Sequence, residues 1–358
     1  MASRKANGLK RWLRKVDGFY RWTLEIRDDK SKIPVSKKIP LIANGFIPRF
    51  TIGYDFQKYD KSLYLSDRGK NIRAVNINDG FVEAINNKIT FSNLISPYVR
   101  VPQMHCYFRK GKILALNNSG VASYEDIIGL LKTVEGNRLV FKMTDASDGK
   151  GIFILEYSEA DGFSVNTDPI DEDGLRRKIA GLDDYYASEF IYPDGFSKNV
   201  APETLNTIRI VTMIDPETGQ AFIARAWHRF GCKSSYPLDK LFKGAVGCTV
   251  EVATGEIIEA LAVKGQGLTR INRHPETGVE FAGLVIPNWD KVVKAILDLA
   301  NSINYYSYVG WDVVALDNGE IIILEGNVNT GVWILQQREP LLADERIRRF
   351  YRYHGVVK

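Results

Sequence analysis

Near the end of the chain, two strongly apolar runs stand on either side of Asp317, Asn318 and Gly319. Asn-Gly between apolar runs is a strong β-hairpin signal, because both residues accept the positive φ angles of a tight turn. The runs therefore predict antiparallel strands over Tyr308–Leu316 and Glu320–Glu325. A hairpin of this kind commits the chain to a fold that contains an antiparallel sheet.

The same hairpin carries two acids and an amide at the inner ends of its apolar runs. Glu325 and Asn327 are two residues apart and share one face of an extended strand, and the hairpin brings Asp312 alongside them. Carboxylates in apolar surroundings are costly unless they are paired or bound to a metal. Two carboxylates and an amide suit Mg²⁺ that also holds nucleotide phosphates. Ion pairs between these acids and arginines are the alternative interpretation.

A second polar feature lies in the middle of the chain, where Lys142 belongs to a predicted apolar strand, Arg138–Met143. Side chains alternate along a strand, so Lys142 faces away from Phe141, and a lysine on an inner face requires an anion. The loop that follows contains Ser147, Asp148, Gly149, Lys150 and Gly151. Its glycines allow backbone N–H groups to approach a phosphate, although a plain hairpin turn to a strand at Ile152–Tyr157 is the alternative. The Walker pattern GxxxxGK[ST] is absent.

Composition indicates the size of the fold, whether the chain spans a membrane and how its cysteines are used. The chain has 358 residues, of which 45% are hydrophobic, enough for two or three domains. Neither a run of about 18 apolar residues nor a signal peptide is found, so no membrane-spanning helix is predicted. Cys106, Cys232 and Cys248 are far apart, odd in number and without zinc spacing. A reducing, cytoplasmic location is therefore expected.

The first 38 residues form a basic arm. They contain twelve Lys/Arg and four Asp/Glu, a formal charge of +8, whereas the whole chain has +5. Apolar residues recur at roughly helical spacing in this arm: Leu9, Trp12, Leu13, Val16, Phe19 and Tyr20. A helix on a membrane surface is one interpretation. An amphipathic helix docked on its own protein is the other. Nucleic-acid binding is not expected, because no nucleic-acid-binding module accompanies the basic residues.

The remaining periodicities indicate alternating helices and strands. Helices are predicted over Gly80–Ile95, Ser123–Thr133, 171–181 and Asn288–Ile303. Further strands are predicted over Gln103–Phe108, Lys112–Ala115, Tyr185–Ile191, Thr207–Ile214 and Ala221–Arg229. The order of elements predicts an α+β protein with antiparallel sheets. The segment Lys233–Gly247 is either a loop that covers substrate or a plain surface loop.

Together, these features resemble the ATP-grasp superfamily over roughly residues 85–331. The most specific part is GWDVVALDNGEIIILEGNVNTG, because the family places an Asp thirteen residues before a Glu followed by x-Asn. FKMTDASDGKGI resembles the strand and flexible loop that close over the triphosphate, and YYASEFI resembles the hinge that contacts adenine. NNKITFSNLIS resembles the segment with an earlier ATP-binding lysine, and TLNTIRIVTM resembles the sugar-transfer-associated branch, related to glutamate ligases.

The resemblance implies roles for particular residues. The implied nucleotide contacts are Lys88, Lys142, Ser147, Asp148, Gly149, Lys150, Gly151, Glu189, Phe190 and Ile191. The implied ligands of Mg²⁺, or of Mn²⁺, are Asp312, Glu325 and Asn327. The implied catalytic residues are Arg209, aimed at the phosphate or acyl phosphate, together with Arg225 and Lys150. Dipeptide ligases carry an arginine two residues before the metal-binding Asp, where this chain has Gly310, so Arg209 or Arg225 is expected to replace it.

The resemblance also implies an architecture and an activity. The expected fold is an ATP-grasp fold of two α+β subdomains that grip ATP, with an N-terminal helical extension. The expected segments are an arm and substrate-side region at 1–80, a linker subdomain at 81–135, a loop-and-hinge subdomain at 136–195, a metal-site subdomain at 196–335 and a tail at 336–358. The expected activity is carboxylate–amine ligation through an acyl phosphate, with an amino acid and a sugar or glycan precursor as substrates. A phosphotransferase and a non-catalytic nucleotide-binding module are the alternatives.

Overall fold

The computed structural model describes residues 2–146, 149–264 and 267–358, with side chains described from residue 8 onward. Within those ranges the α-helices are α1 (Ala2–Arg27), α2 (Val35–Ala43), α3 (Asp67–Ile72), α4 (Val82–Asn86), α5 (Lys88–Ile95), α6 (Tyr124–Leu131), α7 (Glu172–Ala180), α8 (Gly195–Val200), α9 (Trp289–Ser302) and α10 (Glu345–Tyr353). The strands are β1 (Met104–Arg109), β2 (Lys112–Ala115), β3 (Arg138–Met143), β4 (Phe153–Ser158), β5 (Gly162–Val165), β6 (Asp168–Ile170), β7 (Tyr185–Glu189), β8 (Ile208–Ile214), β9 (Ala221–Phe230), β10 (Val246–Val250), β11 (Ile257–Lys264), β12 (Gly267–Arg270), β13 (Tyr308–Ala315) and β14 (Ile321–Asn327).

The first sheet has the strand order β2-β1-β7-β3-β4-β5-β6, and all its pairs are antiparallel. One face packs against α6 and α7, where Phe108 and Phe141 meet Ile127 and Leu175 in one buried cluster. Serine and aspartate caps begin these helices: Ser123 accepts the Asp126 N–H and Asp171 accepts the Gly174 N–H. Since α6 and α7 cover one face only, the other face is free to line a cleft.

The second sheet has the strand order β12-β11-β10-β9-β8-β13-β14 and is also antiparallel. The apolar side of α9 packs on one face, with Val292 and Ile296 against Trp311. On the other face, α10 buries Phe350 and Tyr351 against one end of β8 and β13. The predicted α+β architecture with antiparallel sheets is therefore confirmed. The predicted C-terminal tail contains a packed helix.

Two sequence-based boundaries differ from the structure. The predicted helix Gly80–Ile95 is two helices, α4 and α5, separated by Asn87, whose side chain accepts the Thr90 N–H and begins α5. The predicted subdomain boundary at residue 135 falls inside the first sheet, because β1 pairs with β7 along its length. A local pattern marks each strand but not its partner, so the pairing of β1 with β7 was not visible in the sequence, whereas Asn87 is a local signal for a helix start.

The N-terminal region packs on the second sheet. Asn78 bonds both backbone groups of Tyr308 at the start of β13, with its Nδ2 donating to the carbonyl and its Oδ1 accepting the N–H. Helix α1 lies across α3 and the turn that follows it. None of the helices in the described ranges, including α1, is long and apolar enough to cross a membrane.

Candidate active site

The two sheets face each other across a cleft lined by charged side chains. On β3, Phe141 is buried in the helix-covered core, so Lys142 projects from the opposite face. Tyr186 lies beside Lys142 on β7 and shares that face. Both side chains interact electrostatically with Glu325 of β14, which therefore lies across the cleft from them.

Asp312 on β13 is bonded by two arginines. Arg209 Nε donates to Asp312 Oδ1 over 2.6 Å, and Arg209 Nη2 donates to Oδ2 over 2.9 Å. Arg229 Nη2 lies 3.1 Å from Asp312 Oδ1. Burial alone would raise the pKa of Asp312, but the two guanidinium groups outweigh it and hold that pKa well below its usual range. Asp312 is therefore ionised, and the arginine pairing considered from the sequence holds for this acid.

Glu325 lies next to Asp312 and lacks comparable compensation. The two residues are opposite each other on the hairpin, and their carboxyl groups are within hydrogen-bonding reach. Burial raises the pKa of Glu325, and the Asp312 carboxylate raises it further. Asn327 Nδ2 donates to Glu325 Oε1 over 3.3 Å. Asp312, Glu325 and Asn327 thus meet as predicted from their spacing, in an environment that favours another cation.

Two lysines approach Glu325: Lys142 from β3 across the cleft, and Lys88 from the start of α5, which packs on β14. The Lys88 N–H donates to the Thr144 carbonyl over 2.8 Å, and Lys88 Nζ donates to the Ala146 carbonyl over 2.7 Å. Burial lowers the pKa of Lys142, and the nearby Lys88 lowers it too, whereas Glu325 opposes both effects. The break between α4 and α5 has a clear consequence here, because it places Lys88 at the end of β3 beside the glycine-rich loop.

The glycine-rich loop is described in part. Ser147 and Asp148 lie outside the described residues. Gly149 and Gly151 have φ angles of 62° and 71°, in the left-handed region that glycine adopts without strain. Lys150, between them, is exposed. The loop connects two antiparallel strands, β3 and β4, as the strand–loop–strand pattern predicts.

The predicted hinge residues lie where the chain leaves the first sheet. Glu189 ends β7, and its carboxylate accepts the Gln103 N–H over 2.8 Å and a bond from Arg100 over 3.1 Å. Phe190 is half-buried, whereas Ile191 is buried in a cluster with residues of β13 and β14. The segment therefore joins the two sheets at the edge of the cleft.

The segment Lys233–Gly247 crosses from one sheet to the other. Tyr236 Oη donates to Glu156 Oε1 of β4 over 3.1 Å. Leu238 lies directly over Gly149, so that a side chain at this glycine would meet the leucine methyl groups. Asp239 Oδ2 accepts the Thr207 N–H over 2.9 Å. This geometry favours a cleft-covering segment over a plain surface loop.

Arg225, one of the sequence-predicted catalytic residues, has a different set of partners from Arg209. Its Nη2 donates to Glu339 Oε1 over 3.1 Å, on the segment before α10. Arg229 is the residue that sequence analysis missed. Alternation along β9 puts Arg225 and Arg229 on the same face, but only the pairing of β9 with β8 shows which of them reaches Asp312.

The acid cluster fits a magnesium ion by its donor chemistry. Across the described ranges, no group of three or more His, Cys, Asp or Glu side chains has the arrangement to hold a metal. An ion here would depend on Asp312, Glu325 and the Asn327 amide, with further oxygens from water or phosphate. Mg²⁺ is usually bound in this way, by one or two carboxylates plus substrate phosphates.

The chain is similar in fold to several solved structures. It resembles an ADP complex of N5-carboxyaminoimidazole ribonucleotide synthetase, with 13% identity and a TM-score of 0.41 over 73% of this chain and 52% of that one. It resembles the D-Ala:D-Ser ligase VanG from Enterococcus faecalis, with 11% identity and a TM-score of 0.44 over 77% of this chain and 64% of that one. It also resembles an L-amino acid ligase from Bacillus licheniformis, with 10% identity and a TM-score of 0.36 over 70% of this chain and 42% of that one. This chain therefore spans between 42% and 64% of their lengths.

No curated protein sequence matches the chain. The family model described as sugar-transfer associated ATP-grasp matches residues 70–347, which contain both sheets and the whole charged cleft. This match extends the region that the motifs alone delimit, and it confirms the predicted ATP-grasp fold. The chain belongs to the sugar-transfer associated ATP-grasp family.

Proposed function

We propose that this protein is an ATP-dependent ligase that joins a carboxylate to an amine through an acyl phosphate. The observation that carries the proposal is the buried charge of the cleft. Four cationic side chains, Lys88, Lys142, Arg209 and Arg229, meet three carboxylates there, those of Asp239, Asp312 and Glu325. An excess of buried positive charge favours an anionic ligand, and a polyphosphate supplies several charged oxygens.

In this proposal, Arg209 stabilises the negative charge that develops on oxygen during the acyl-transfer step. A Cβ at Gly310 would lie 2.6 Å from Thr330 Oγ1 and 3.1 Å from Arg209 Cδ, so the Arg209 side chain occupies the space beside this glycine. Arg209 Nη1 also donates to Thr330 Oγ1 over 2.6 Å. The guanidinium thus stands next to the position where dipeptide ligases carry their arginine. A fixed guanidinium close to the reacting atoms stabilises an oxyanion without reorganisation.

The reaction has two balanced steps. A carboxylate oxygen of the substrate attacks the γ-phosphorus of ATP, the bond to the β-phosphate oxygen breaks, and ADP leaves. The amine nitrogen then attacks the acyl carbon, phosphate leaves with the carboxylate oxygen, and the amine loses a proton. Lys88 and Lys142 hold phosphate oxygens, while Asp312, Glu325 and Asn327 would hold Mg²⁺, which screens charge when bound. The glycine-rich loop and the hinge at residues 189–191 would contact the nucleotide.

The family description supports a sugar-linked substrate. Sugar-transfer association fits an amino acid as the carboxylate and a sugar or glycan precursor as the acceptor. A phosphotransferase, which leaves the phosphate on its acceptor, is the second candidate, because the same cleft would bind ATP for either outcome.

The test follows the carboxylate oxygen. Pools of amino acids with heavy-oxygen-labelled carboxylates are incubated with ATP, Mg²⁺ and hydroxylamine in place of the amine. A ligase transfers one labelled oxygen to the released phosphate and forms a hydroxamate. A phosphotransferase keeps the phosphate on an organic product and releases none.

Two arginine variants complete the test. Arg209→Lys should reduce hydroxamate formation by about 10²-fold, the usual cost of a lost oxyanion donor. Arg225→Lys is the matched control and should retain activity, because Arg225 pairs with Glu339. Equal losses in both variants would remove Arg209 from the proposed role.

A further inference from the structure

The apolar side of α1 points away from the protein. Its six apolar residues are Leu9, Trp12, Leu13, Val16, Phe19 and Tyr20, and each is between 45% and 59% exposed. They lie within about a third of the helix circumference, since they follow helical spacing. The sequence predicted either a membrane-surface helix or a helix docked on its own protein, and in the structure α1 docks through its other side while these six residues face outward. Six neighbouring exposed apolar side chains form a patch, which single scattered residues do not.

The opposite side of α1 is held firmly by the protein. Arg11 and Arg14 both pair with Asp79, the latter over 2.5 Å. A methyl group at Gly18 would collide with the Asn71 carbonyl, so the helix backbone is in close contact with the end of α3. Trp22 is 7% exposed. These contacts fix the orientation of α1, and the apolar side cannot turn inward without breaking them.

The charge around the apolar side identifies the chemistry of its partner. Lys10 and Lys15 are exposed on α1, as is Arg21, which pairs with Asp17. The first 38 residues have a formal charge of +8, while the rest of the chain nets −3. Helices that lie in a membrane surface combine an apolar side rich in Trp, Phe and Leu with a basic polar side. Trp12 and Tyr20 also belong to the residue types that favour the boundary between lipid and water. A purely apolar protein partner would account for the patch but not for the charge.

We propose that α1 lies in the surface of an anionic lipid bilayer, with its six apolar side chains buried among the lipids. The helix, of 26 residues, is about 39 Å long and would lie parallel to the membrane plane. Its contact with the chain around Asp79 holds the catalytic sheet close to the lipid surface, because the adjacent Asn78 bonds β13. The proposal rests on α1 alone and does not depend on the ligase reaction.

The experiment measures binding of the full chain to vesicles by sedimentation. The chain should sediment with phosphatidylserine-rich vesicles, less with pure phosphatidylcholine vesicles, and less again at high salt, because anionic lipid attracts the basic side chains. The double variant Trp12→Ser, Phe19→Ser should bind at least about tenfold more weakly, since it loses two large apolar groups from the lipid contact. Thermal unfolding of both proteins should be the same.

A control replaces two exposed apolar residues outside α1, Val285→Ser with Tyr353→Ser, which are 50% and 71% exposed. This variant should bind vesicles like the unchanged chain. Three outcomes would overturn the proposal: no preference for anionic vesicles, equal loss in the control, or unchanged binding in the α1 variant. Self-association that disappears in the α1 variant, without vesicle binding, would instead assign the patch to a second copy of the chain.

Discussion

Folded proteins usually bury apolar side chains and expose charged ones, and the charged cleft and the outer side of α1 depart from this pattern in opposite ways. The cleft buries Asp312 and Lys88, which are 4% and 8% exposed, and half-buries the lysine, arginine and carboxylate side chains around them. Helix α1 exposes six apolar side chains, while Arg11 and Arg14 on its other side pair with Asp79. Interiors are normally apolar and large exposed apolar patches are uncommon, so each region costs stability in the isolated protein. The difference indicates that the two regions suit different partners, and we propose an anionic nucleotide for the cleft and an anionic lipid surface for α1.

The largest effect is expected from the acid at the centre of the cleft. Glu325→Gln keeps the size of the side chain and removes one charge next to Asp312. Turnover should fall by about 10²-fold or more, because charge stabilisation around the phosphates is lost. The measurement is the steady-state rate of ADP release with saturating ATP and Mg²⁺. Glu159→Gln, on the exposed turn after β4, is the control and should have no effect.

The stability of Glu325→Gln should change in the opposite direction from its turnover. Burial and Asp312 raise the pKa of Glu325 above its unfolded value. A raised folded pKa means that the protonated form favours folding, so this group's contribution is present at low pH and lost as the pH rises through the folded pKa. At neutral pH, Glu325→Gln should therefore unfold at the same or a higher urea concentration than the unchanged chain. A clear loss of stability would show that the Glu325 charge is compensated.

Lowering the pH should affect the two regions differently, because it protonates histidines in the interior and leaves the apolar residues on the outer side of α1 unchanged. Burial lowers the pKa of all four histidines in the chain, and that of His228 to about 3. A lowered folded pKa gives stability that is complete above the unfolded pKa and is lost as the pH falls toward the folded pKa. From His228 alone, the free energy of unfolding should fall by roughly 1 kcal/mol between about pH 7.5 and 5.5.

Urea unfolding at the two pH values measures this loss. His228→Asn should reduce it, since an amide can donate to the Arg229 carbonyl in place of His228 Nδ1 without titrating. The variant Trp12→Ser, Phe19→Ser should show the same loss as the unchanged chain. An equal pH dependence in His228→Asn would assign the acid sensitivity to other groups.

The final hairpin shows how much of the site was visible in the sequence. Asn318 and Gly319 predict the turn, and the spacing of Asp312, Glu325 and Asn327 predicts that they meet. The pairing of β8 with β13, which brings Arg209 to Asp312, joins residues 103 positions apart. No local pattern encodes such a register. Sequence alone therefore proposed both Arg209 and Arg225, and only the fold separates their surroundings.

The strands and helix faces that sequence analysis missed have a related cause. Strands β5, β6 and β12 are short and partly exposed and lie at or next to the outer edges of their sheets, where apolar alternation is weaker. Strands β10 and β11 lie further inside the second sheet than β12 and were also missed. For α1, helical spacing correctly identified an apolar side, but the direction of that side depends on contacts such as Gly18 with Asn71. Periodicity shows which residues share a face, and tertiary contacts decide what the face meets.

The smallest effect is expected from a tryptophan on the outer side of α1. Trp12 is 58% exposed, so Trp12→Ala removes little buried surface and should change the free energy of unfolding by less than about 0.5 kcal/mol. Trp22, on the same helix, is 7% exposed and has the Arg68 guanidinium over its ring at 5.8 Å. Trp22→Ala should therefore cost about 3 kcal/mol, in the range for a buried aromatic residue. Urea unfolding of the two variants measures both values under one condition. A large cost for Trp12→Ala would mean that the protein itself covers the apolar side in solution, and the contrast between the cleft and α1 would then disappear.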